Sequence, residues 1–217
     1  MERIIIEVSK AILEALNPSV YTVVTPSNDS EFYIESIKLQ VAKERTHLGK
    51  NWFESHRLLQ ENGKRMPTLP EFVEILKYTK NNNQDIYDGI TKVESPWRAE
   101  WIDADFKQKD GNLCINSKHI YQGENLVHQE SKHLQKNTLM EDRDPGISLD
   151  SWINSPTKQG LPSKKTGSGN LYYWAPMSDN NSVAWFCAGS GRAGLYCDGD
   201  PSGSDSNLGV RAVRSVN

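Results

Sequence analysis

Two amphipathic helices joined by a tight turn are the feature that most constrains how this chain can fold. Residues 51–62, NWFESHRLLQEN, have the apolar spacing of a helix, and Gly63 is a natural stop just past the end. The face that we expect to be buried carries Trp52, Phe53, His56, Leu59 and Gln60. The sequence therefore predicts a first helix over residues 51–62.

A second helix follows the turn GKRMPT. Thr68 is predicted to cap its N-terminus, with Glu71 three residues later as in a capping box, and Pro70 is allowed in the first turn. Its buried stripe is expected to consist of Phe72, Val73, Ile75 and Leu76. The polar stretch NNNQD at residues 81–85 is then expected to be a loop.

Short strands separated by long loops come after these helices. Residues 95–115 are typical of two strands around an Asp110-Gly111 hairpin turn. GISLDSWINS is predicted to contain a short helix, and the later segments LYYWAPM, SVAWFCA, AGLYC and LGVRAVR are predicted strands. Because helices come first and strands follow, without a βαβ alternation, the sequence predicts an α+β domain.

Residues 1–45 admit two interpretations. They are either an N-terminal extension used for attachment or oligomerisation, or the first strands and helix of the domain. Within them we predict a strand-like start, a short helix through Leu16 and a β-rich segment over residues 19–25. Residues 107–150 give no indication of their role.

Composition excludes several classes of function. With 217 residues, 36% of them hydrophobic, the chain can build a core. A net charge of −3 gives no basic surface for nucleic acid. No apolar run approaches the roughly 20 residues of a membrane-spanning helix. The N-terminus does not resemble a secretory signal, so we expect a protein that is cytosolic or is exported by assembly into something larger.

Patterns typical of enzymes and metal sites are weak. His128 and His133 are five residues apart and would not share a helical face, and neither His-Glu-x-x-His nor Cys-x-x-Cys occurs. We therefore predict no metal and no cofactor. Glu100, Asp103 and Asp105 could form an acid–base pair, but we expect them to form the exposed polar face of a strand.

The C-terminal third contains three further candidate features. Three cysteines are too few for a disulfide scaffold, and Cys187 with Cys197 is the obvious pair. GSGRAG at residues 189–194 lacks the following helix that a dinucleotide-binding loop needs. Oxygen ligands for calcium occur without EF-hand spacing, and we interpret them as a solvated loop; they are Asp198, Asp200, Asp205 and Asn207.

Residues 187–214 are rich in glycine, with six of the 15 glycines between Gly189 and Gly209. Alternation along a strand, with a turn or bulge at residues 192–193, brings small and polar residues to a common outward side. The opposite side carries residues expected of a scaffold, namely Ala188, Arg192, Leu195, Pro201, Leu208 and Val210. Glycine within a strand costs roughly 0.5–1 kcal/mol relative to alanine, so the outward side is not selected for stability.

The helix–turn–helix segment WFESHRLLQENGKRMPTLPEFVEIL, together with Arg192-Ala193, Pro201 and LGVRAVR, resembles the formylglycine-generating-enzyme type of C-type lectin fold. In that family a Gly-Lys-Arg-Leu-Pro-Thr turn precedes a helix that opens with Glu-Trp/Phe. An Arg-x-Ala, a Pro and a Gly-Phe-Arg strand close the domain. The resemblance implies that residues 46–217 form a C-type lectin-like domain, with two helices packed on short antiparallel strands.

The resemblance includes an enzymatic branch and a binding branch. The enzymes oxidise a cysteine in sulfatases and rely on a closely spaced cysteine pair, which Cys187 and Cys197 match poorly. The binding branch comprises the variable proteins of diversity-generating retroelements, in which adenine mutation scatters AAY asparagine codons into other residues, but never into Glu, Gln, Lys, Met or Trp. Residues 187–207 contain neither Lys nor Glu, as expected of such a cassette.

The resemblance thus implies a ligand-binding protein rather than an enzyme, with a variable cassette over about residues 185–207. The expected binding positions are Trp185, Cys187, Gly189, Gly191, Gly194, Tyr196, Asp198, Gly199, Asp200, Gly203, Asp205 and Asn207. The resemblance implies a protein or carbohydrate ligand on a cell surface. It also implies that the protein lies on a virion, as a tropism determinant, or on the exterior of a cell. In either place it is expected to form a homo-oligomer or part of a larger assembly. The alternatives are an oxidoreductase like formylglycine-generating enzyme and a calcium-dependent carbohydrate-binding lectin.

Overall fold

The computed structural model describes residues 30–163, 169–177, 181–189 and 191–216. The strand, helix and β-rich segment predicted within residues 1–29 lie outside the described residues. The described helices are α1 (Trp52–Glu61), α2 (Leu69–Asn82), α3 (Gln84–Thr91) and α4 (Leu149–Asn154). The described strands are β1 (Glu31–Ile34), β2 (Leu39–Ala42), β3 (Arg98–Lys109), β4 (Asn112–Gln122), β5 (Asn125–His133), β6 (Arg143–Ile147), β7 (Leu171–Trp174), β8 (Ser182–Ala188), β9 (Ala193–Gly199), β10 (Leu208–Gly209) and β11 (Val213–Ser215). The architecture is α+β, as predicted, and consists mostly of sheet.

The first predicted helix is present as α1 and begins with a capping box. The Glu54 N–H donates to Asn51 Oδ1 at 2.8 Å, and the Glu54 carboxylate accepts from the Asn51 N–H at 3.1 Å. Its buried residues are Trp52, Ser55, His56 and Leu59. Phe53 and Gln60 are exposed, contrary to the prediction, because the buried ridge runs along the i, i+3, i+4 and i+7 positions that begin at Trp52.

The second helix, α2, confirms both its predicted cap and its predicted stripe. The Glu71 carboxylate accepts from the Thr68 N–H at 2.8 Å and receives the Arg65 guanidinium at 2.6 and 2.7 Å. The capping box is thereby tied to the preceding turn. The predicted stripe is fully buried at Phe72, Val73, Ile75 and Leu76.

The loop predicted at residues 81–85 is wrong, because helix continues through most of it. Helix α2 runs to Asn82, and Asn83 then caps α3 by accepting from the Ile86 N–H at 3.3 Å. An asparagine-rich stretch therefore acts here as a cap between two helices.

The main sheet is built around the hairpin predicted at Asp110-Gly111. Both residues have a positive φ, 51° and 74°, as a tight two-residue hairpin requires. The strand order in this sheet is β5-β4-β3-β8-β9-β7-β6, with β10 pairing in parallel with β3. Strands β4 and β5 form a long hairpin within the region whose role the sequence did not indicate. A second sheet has the order β1-β2-β11.

The main sheet separates two apolar clusters. On one side α2 and α4 pack on β3, β8 and β9, and the largest buried side chains there include Phe72, Trp152 and Phe186. On the other side Trp52 of α1 packs with Trp101 of β3, and this cluster extends to the half-buried Trp185. None of the described helices is long and apolar enough to cross a membrane.

A buried ion pair ties the two ends of the described chain together. The Arg211 guanidinium donates to the Glu100 carboxylate at 2.6 and 3.1 Å, and both side chains are only 3% exposed. Arg211 also donates to the carbonyls of Ala42, at 3.0 Å, and Lys43. Two residues later, β11 pairs with β2. The final strand is therefore fastened to both sheets.

Candidate ligand-binding surface

Strands β8 and β9 place four of the predicted binding residues on one face. Trp185 pairs with Tyr196, and Cys187 pairs with Gly194, so the four side-chain positions lie on the same side of the ladder. Among the residues predicted as scaffold, Ala188 and Leu195 are buried on the opposite side of the sheet. Leu208 and Val210 are also buried, but in the cluster that Trp185 and Cys187 pack against. Alternation along two paired strands is thus enough to separate this outward face from the core.

Tyr196 lies between two tryptophans on this face. Its ring centroid is 4.2 Å from that of Trp174, at an interplanar angle of 5°, and 4.3 Å from that of Trp185, at 23°. Tyr172 extends the row by stacking on Trp174 at 6.0 Å. All four side chains are half-buried, so each ring remains in part accessible to solvent. We call these four residues the aromatic row.

Arg192 belongs to this surface, and its prediction as a scaffold residue is wrong. Its guanidinium lies 4.9 Å from the ring centroids of both Tyr172 and Trp174, and its side chain is 44% exposed. Arg192 does not alternate with the β9 residues because it lies in the turn before that strand, where the Gly189 N–H donates to its carbonyl at 2.9 Å. The turn places a cation over two aromatic faces.

A shallow surface depression of about 490 Å³ lies beside the aromatic row. It is lined by Trp97, Tyr172, Cys187, Gly189, Gly191, Arg192 and Tyr196. Four of these residues were predicted from the sequence; Trp97, Tyr172 and Arg192 were missed. A larger depression of about 730 Å³, between α1 and the β4–β5 turn, contains none of the predicted positions.

The glycines on this surface differ in how much space surrounds them. A Cβ at Gly191 would meet nothing within 4 Å. A Cβ at Gly194 would lie 2.8 Å from Tyr196 Cε2, which is the far end of a side chain, and one at Gly189 would lie 3.0 Å from Trp97 Cβ. A Cβ at Gly199 would lie 2.9 Å from the carbonyl oxygen of Val183. Only the last obstacle belongs to the backbone.

The remaining predicted positions lie at or beyond the end of β9. Asp198 and Gly199 are half-buried on that strand, whereas Asp200, Gly203 and Asp205 belong to the loop that follows. Asp200 Oδ1 accepts from the N–H and the hydroxyl of Ser202 at 2.9 and 2.7 Å. Asp205 Oδ1 accepts from the Asn207 N–H at 2.8 Å. These carboxylates close local turns, which agrees with the interpretation of a loop of turn formers.

The cysteines are all free thiols. Cys187 faces the aromatic row, whereas Cys197 is buried in the core on the other side of the sheet. Burial raises the pKa of the Cys187 thiol, and it raises the pKa of Cys197 well above its ordinary value. Neither thiol is therefore activated as a thiolate, and the pair suggested by the sequence is not formed.

The three carboxylates of β3 are buried, so the exposed polar face predicted for them is wrong. Asp103 Oδ1 lies 2.5 Å from His119 Nδ1 and 3.8 Å from His56 Nε2. These partners come from β4 and α1, which explains why no spacing in the sequence indicated the cluster. Burial lowers the pKa of His56 to about 4. Burial also acts to lower the pKa of His119, but the hydrogen bond to Asp103 and the negative charges of Asp103 and Asp105 overcome it and raise the pKa to about 9.

The surface beside β8 and β9 combines aromatic rings with a positive charge. Accessible aromatic rings provide a large contact area with few rotatable bonds, and the Arg192 guanidinium adds a cation. The described part of the depression contains a single nucleophilic side chain, Cys187, whose raised pKa keeps it protonated. Comparison of the chain with protein-family models, with curated protein sequences and with solved structures found no match.

Proposed function

We propose that this protein binds a ligand through the β8–β9 surface, that its fold is the formylglycine-generating-enzyme type of C-type lectin fold, and that a retroelement diversifies its C-terminal cassette. The observation that carries the proposal is the shared outward face of Trp185, Cys187 and Tyr196, which are half-buried while their strand neighbours are buried in the core. Such an arrangement separates the residues that recognise a ligand from those that specify the fold.

A paired backbone can tolerate changes on one of its faces. Strand β9 is held on both sides, by β8 and by β7, through main-chain hydrogen bonds that do not depend on side-chain identity. The outward side chains of Trp185, Cys187 and Tyr196 are only half-buried, whereas Leu195 on the inner face is fully buried. The recognition chemistry of this surface can therefore vary while the domain stays folded.

The residues now on the surface indicate what kind of ligand this version favours. Tyr196 and Trp185 supply aromatic contact, and in binding interfaces such side chains carry much of the affinity. Asp198 and Asp200 add negative charge, which favours a basic or polyhydroxyl partner. We propose a protein or a carbohydrate on a cell surface as the ligand, bound by a virion or cell-exterior component that displays several copies.

The proposed positions are not equally free to vary. Gly191 has open space around it, so any side chain fits there. At Gly199 the Val183 carbonyl blocks a Cβ, so substitution requires a backbone shift. At Gly194 a side chain would compete with Tyr196 for the same space. We therefore propose that diversity is greatest at 191, lowest at 199, and coupled between 194 and 196.

The flanking DNA provides the first test. We expect a near-repeat of the 3′ end of the gene, with adenines at the codons of the proposed positions other than Trp185, beside a reverse-transcriptase gene. In a population, substitutions should occur at Tyr196 and be absent at Leu195. Variation spread evenly over outward and core codons, with no such repeat, would contradict diversification.

Binding is tested with a matched pair of tyrosines. Tyr196 and Tyr78 are both half-buried and stacked, but Tyr78 stacks on Phe32 at 5.6 Å, and neither Tyr78 nor Phe32 belongs to the proposed surface. On a printed glycan array and on intact candidate host cells, Tyr196→Ala is expected to lower binding by about tenfold or more, and Tyr78→Ala to leave it unchanged. If the two variants lower binding equally, the β8–β9 surface is not the ligand-binding surface.

A further inference from the structure

A buried cluster of histidine and aspartate lies between α1 and the β3–β4 hairpin, away from the aromatic row. Asp103 of β3 is at its centre and is fully buried. His119 Nδ1 lies 2.5 Å and His56 Nε2 lies 3.8 Å from its Oδ1 atom. Asp105 Oδ2 lies 3.8 Å from the other ring nitrogen of His119. Four titratable side chains from three elements thus converge in the interior.

Two atoms of this cluster are buried without a hydrogen-bond partner. They are His56 Nε2, on a residue that is 3% exposed, and Asp105 Oδ1. Buried polar atoms are nearly always paired, because an unpaired one loses its hydration without compensation. The unpaired nitrogen of His56 is directed at the Asp103 carboxylate but lies beyond hydrogen-bond distance from it. This gap is what a bound cation would fill.

We propose that His56, Asp103 and His119 bind a divalent transition-metal ion of the zinc class. One ligand atom from each residue lies within 4.8 Å of the others. Small shifts that separate His119 from Asp103 and draw His56 inward would bring all three around one ion. Two imidazoles and a carboxylate match the nitrogen and oxygen ligands that zinc accepts, whereas calcium and magnesium prefer oxygen alone.

Asp105 would orient His119 without binding the ion itself. Metal-bound histidines commonly donate their other ring nitrogen to a carboxylate, which fixes the orientation of the ring. Asp105 faces Nε2 of His119 in this way, while Nδ1 faces Asp103. The charges also balance, since one dication offsets Asp103 and Asp105 when the two imidazoles are neutral. The ion would take the place of the hydrogen bond between Asp103 and His119.

The ion would be structural, because the cluster has no open side. The Trp52 ring packs edge-on against both imidazoles, at 4.3 Å from His56 and 4.9 Å from His119. Bound metal would fasten α1 to β3 and β4, and so fix the helical layer on the sheet. This role does not depend on the proposed ligand-binding surface.

The test measures metal binding by the full chain. Protein stripped with EDTA is dialysed against Zn²⁺, and bound metal is determined by mass spectrometry. We expect a single zinc ion per chain, a higher melting temperature, and, with Co²⁺ in its place, visible absorption bands of cobalt bound by nitrogen and oxygen ligands. If the stripped, folded protein binds less than one zinc ion per chain, the proposal is wrong.

Variants then locate the ion. His56→Gln is expected to weaken zinc binding by about 100-fold or more, and Asp105→Asn by about tenfold to 100-fold. His128→Gln is the matched control, because that exposed imidazole lies only 5.9 Å from the ring of His119 yet belongs to no ligand set. If His128→Gln removes the zinc and His56→Gln retains it, the site is on the surface and the proposal is wrong.

Discussion

Replacing Arg211 with Met should destabilise the domain strongly, because it leaves a buried carboxylate without its partner. Glu100 is 3% exposed and has the Arg211 guanidinium at 2.6 and 3.1 Å. Breaking a buried pair from one side costs about 3–5 kcal/mol. For a domain of this size each kcal/mol lowers Tm by about 2–4 °C, so Arg211→Met should lower Tm by about 6–20 °C.

Two further variants separate this effect from loss of charge in general. Arg214 also pairs with a glutamate, Glu31, at 3.3 Å, but its side chain is 53% exposed, so Arg214→Met should cost only about 0–1 kcal/mol. Adding Glu100→Gln to Arg211→Met removes the uncompensated charge and should restore part of the stability. Urea unfolding followed by circular dichroism measures all three. Equal losses for Arg211→Met and Arg214→Met would refute the reasoning.

Two other predictions follow from the β8–β9 region. Gly199→Ala should lower the free energy of unfolding by about 1–3 kcal/mol, because its Cβ would meet the Val183 carbonyl. Gly191→Ala should change it by less than about 0.5 kcal/mol, because a Cβ there meets nothing within 4 Å. Thermal unfolding measures both variants, and equal stability would contradict the crowding at residue 199. Because burial raises the pKa of Cys187, its thiolate is scarcer at a given pH than in the unfolded chain. Iodoacetamide should therefore modify it more slowly in the folded protein than in urea at pH 8, as read by peptide mass spectrometry, and equal rates would show that the thiol is not held protonated.

Features that depend on neighbours in the sequence were predictable, and the helix pair is the clearest case. The capping residues Thr68 and Glu71 act within one turn of chain, so their pattern alone fixes where α2 begins. The Asp110-Gly111 turn is equally local, since only a few residues accept its two positive φ angles. The loop expected at residues 81–85 was wrong because asparagine favours both loops and helix caps, and only packing chooses between them.

Features that depend on distant partners could not be found in this way. Alternation indicated which side of β9 carries Tyr196, but its stacking partner Trp174 comes from β7, a strand paired in parallel with β9. The buried cluster at Asp103 needs α1 and β4 to meet over β3, and His56 and His119 are far apart in sequence. Polar residues on a strand suggest solvent exposure until the layer that covers them is known.

The contacts of Arg211 with Glu100 and Ala42 have a consequence for how the protein folds during synthesis. The Arg211 contact with the Ala42 carbonyl spans 169 residues, so neither sheet is complete until the chain beyond residues 187–207 has emerged from the ribosome. A polypeptide interrupted within that segment would lack β10 and β11, leave Glu100 without its counterion, and expose one edge of β2. Cellular proteases preferentially degrade such incompletely folded products. Only chains synthesised beyond residue 215 can therefore complete both sheets and escape this degradation.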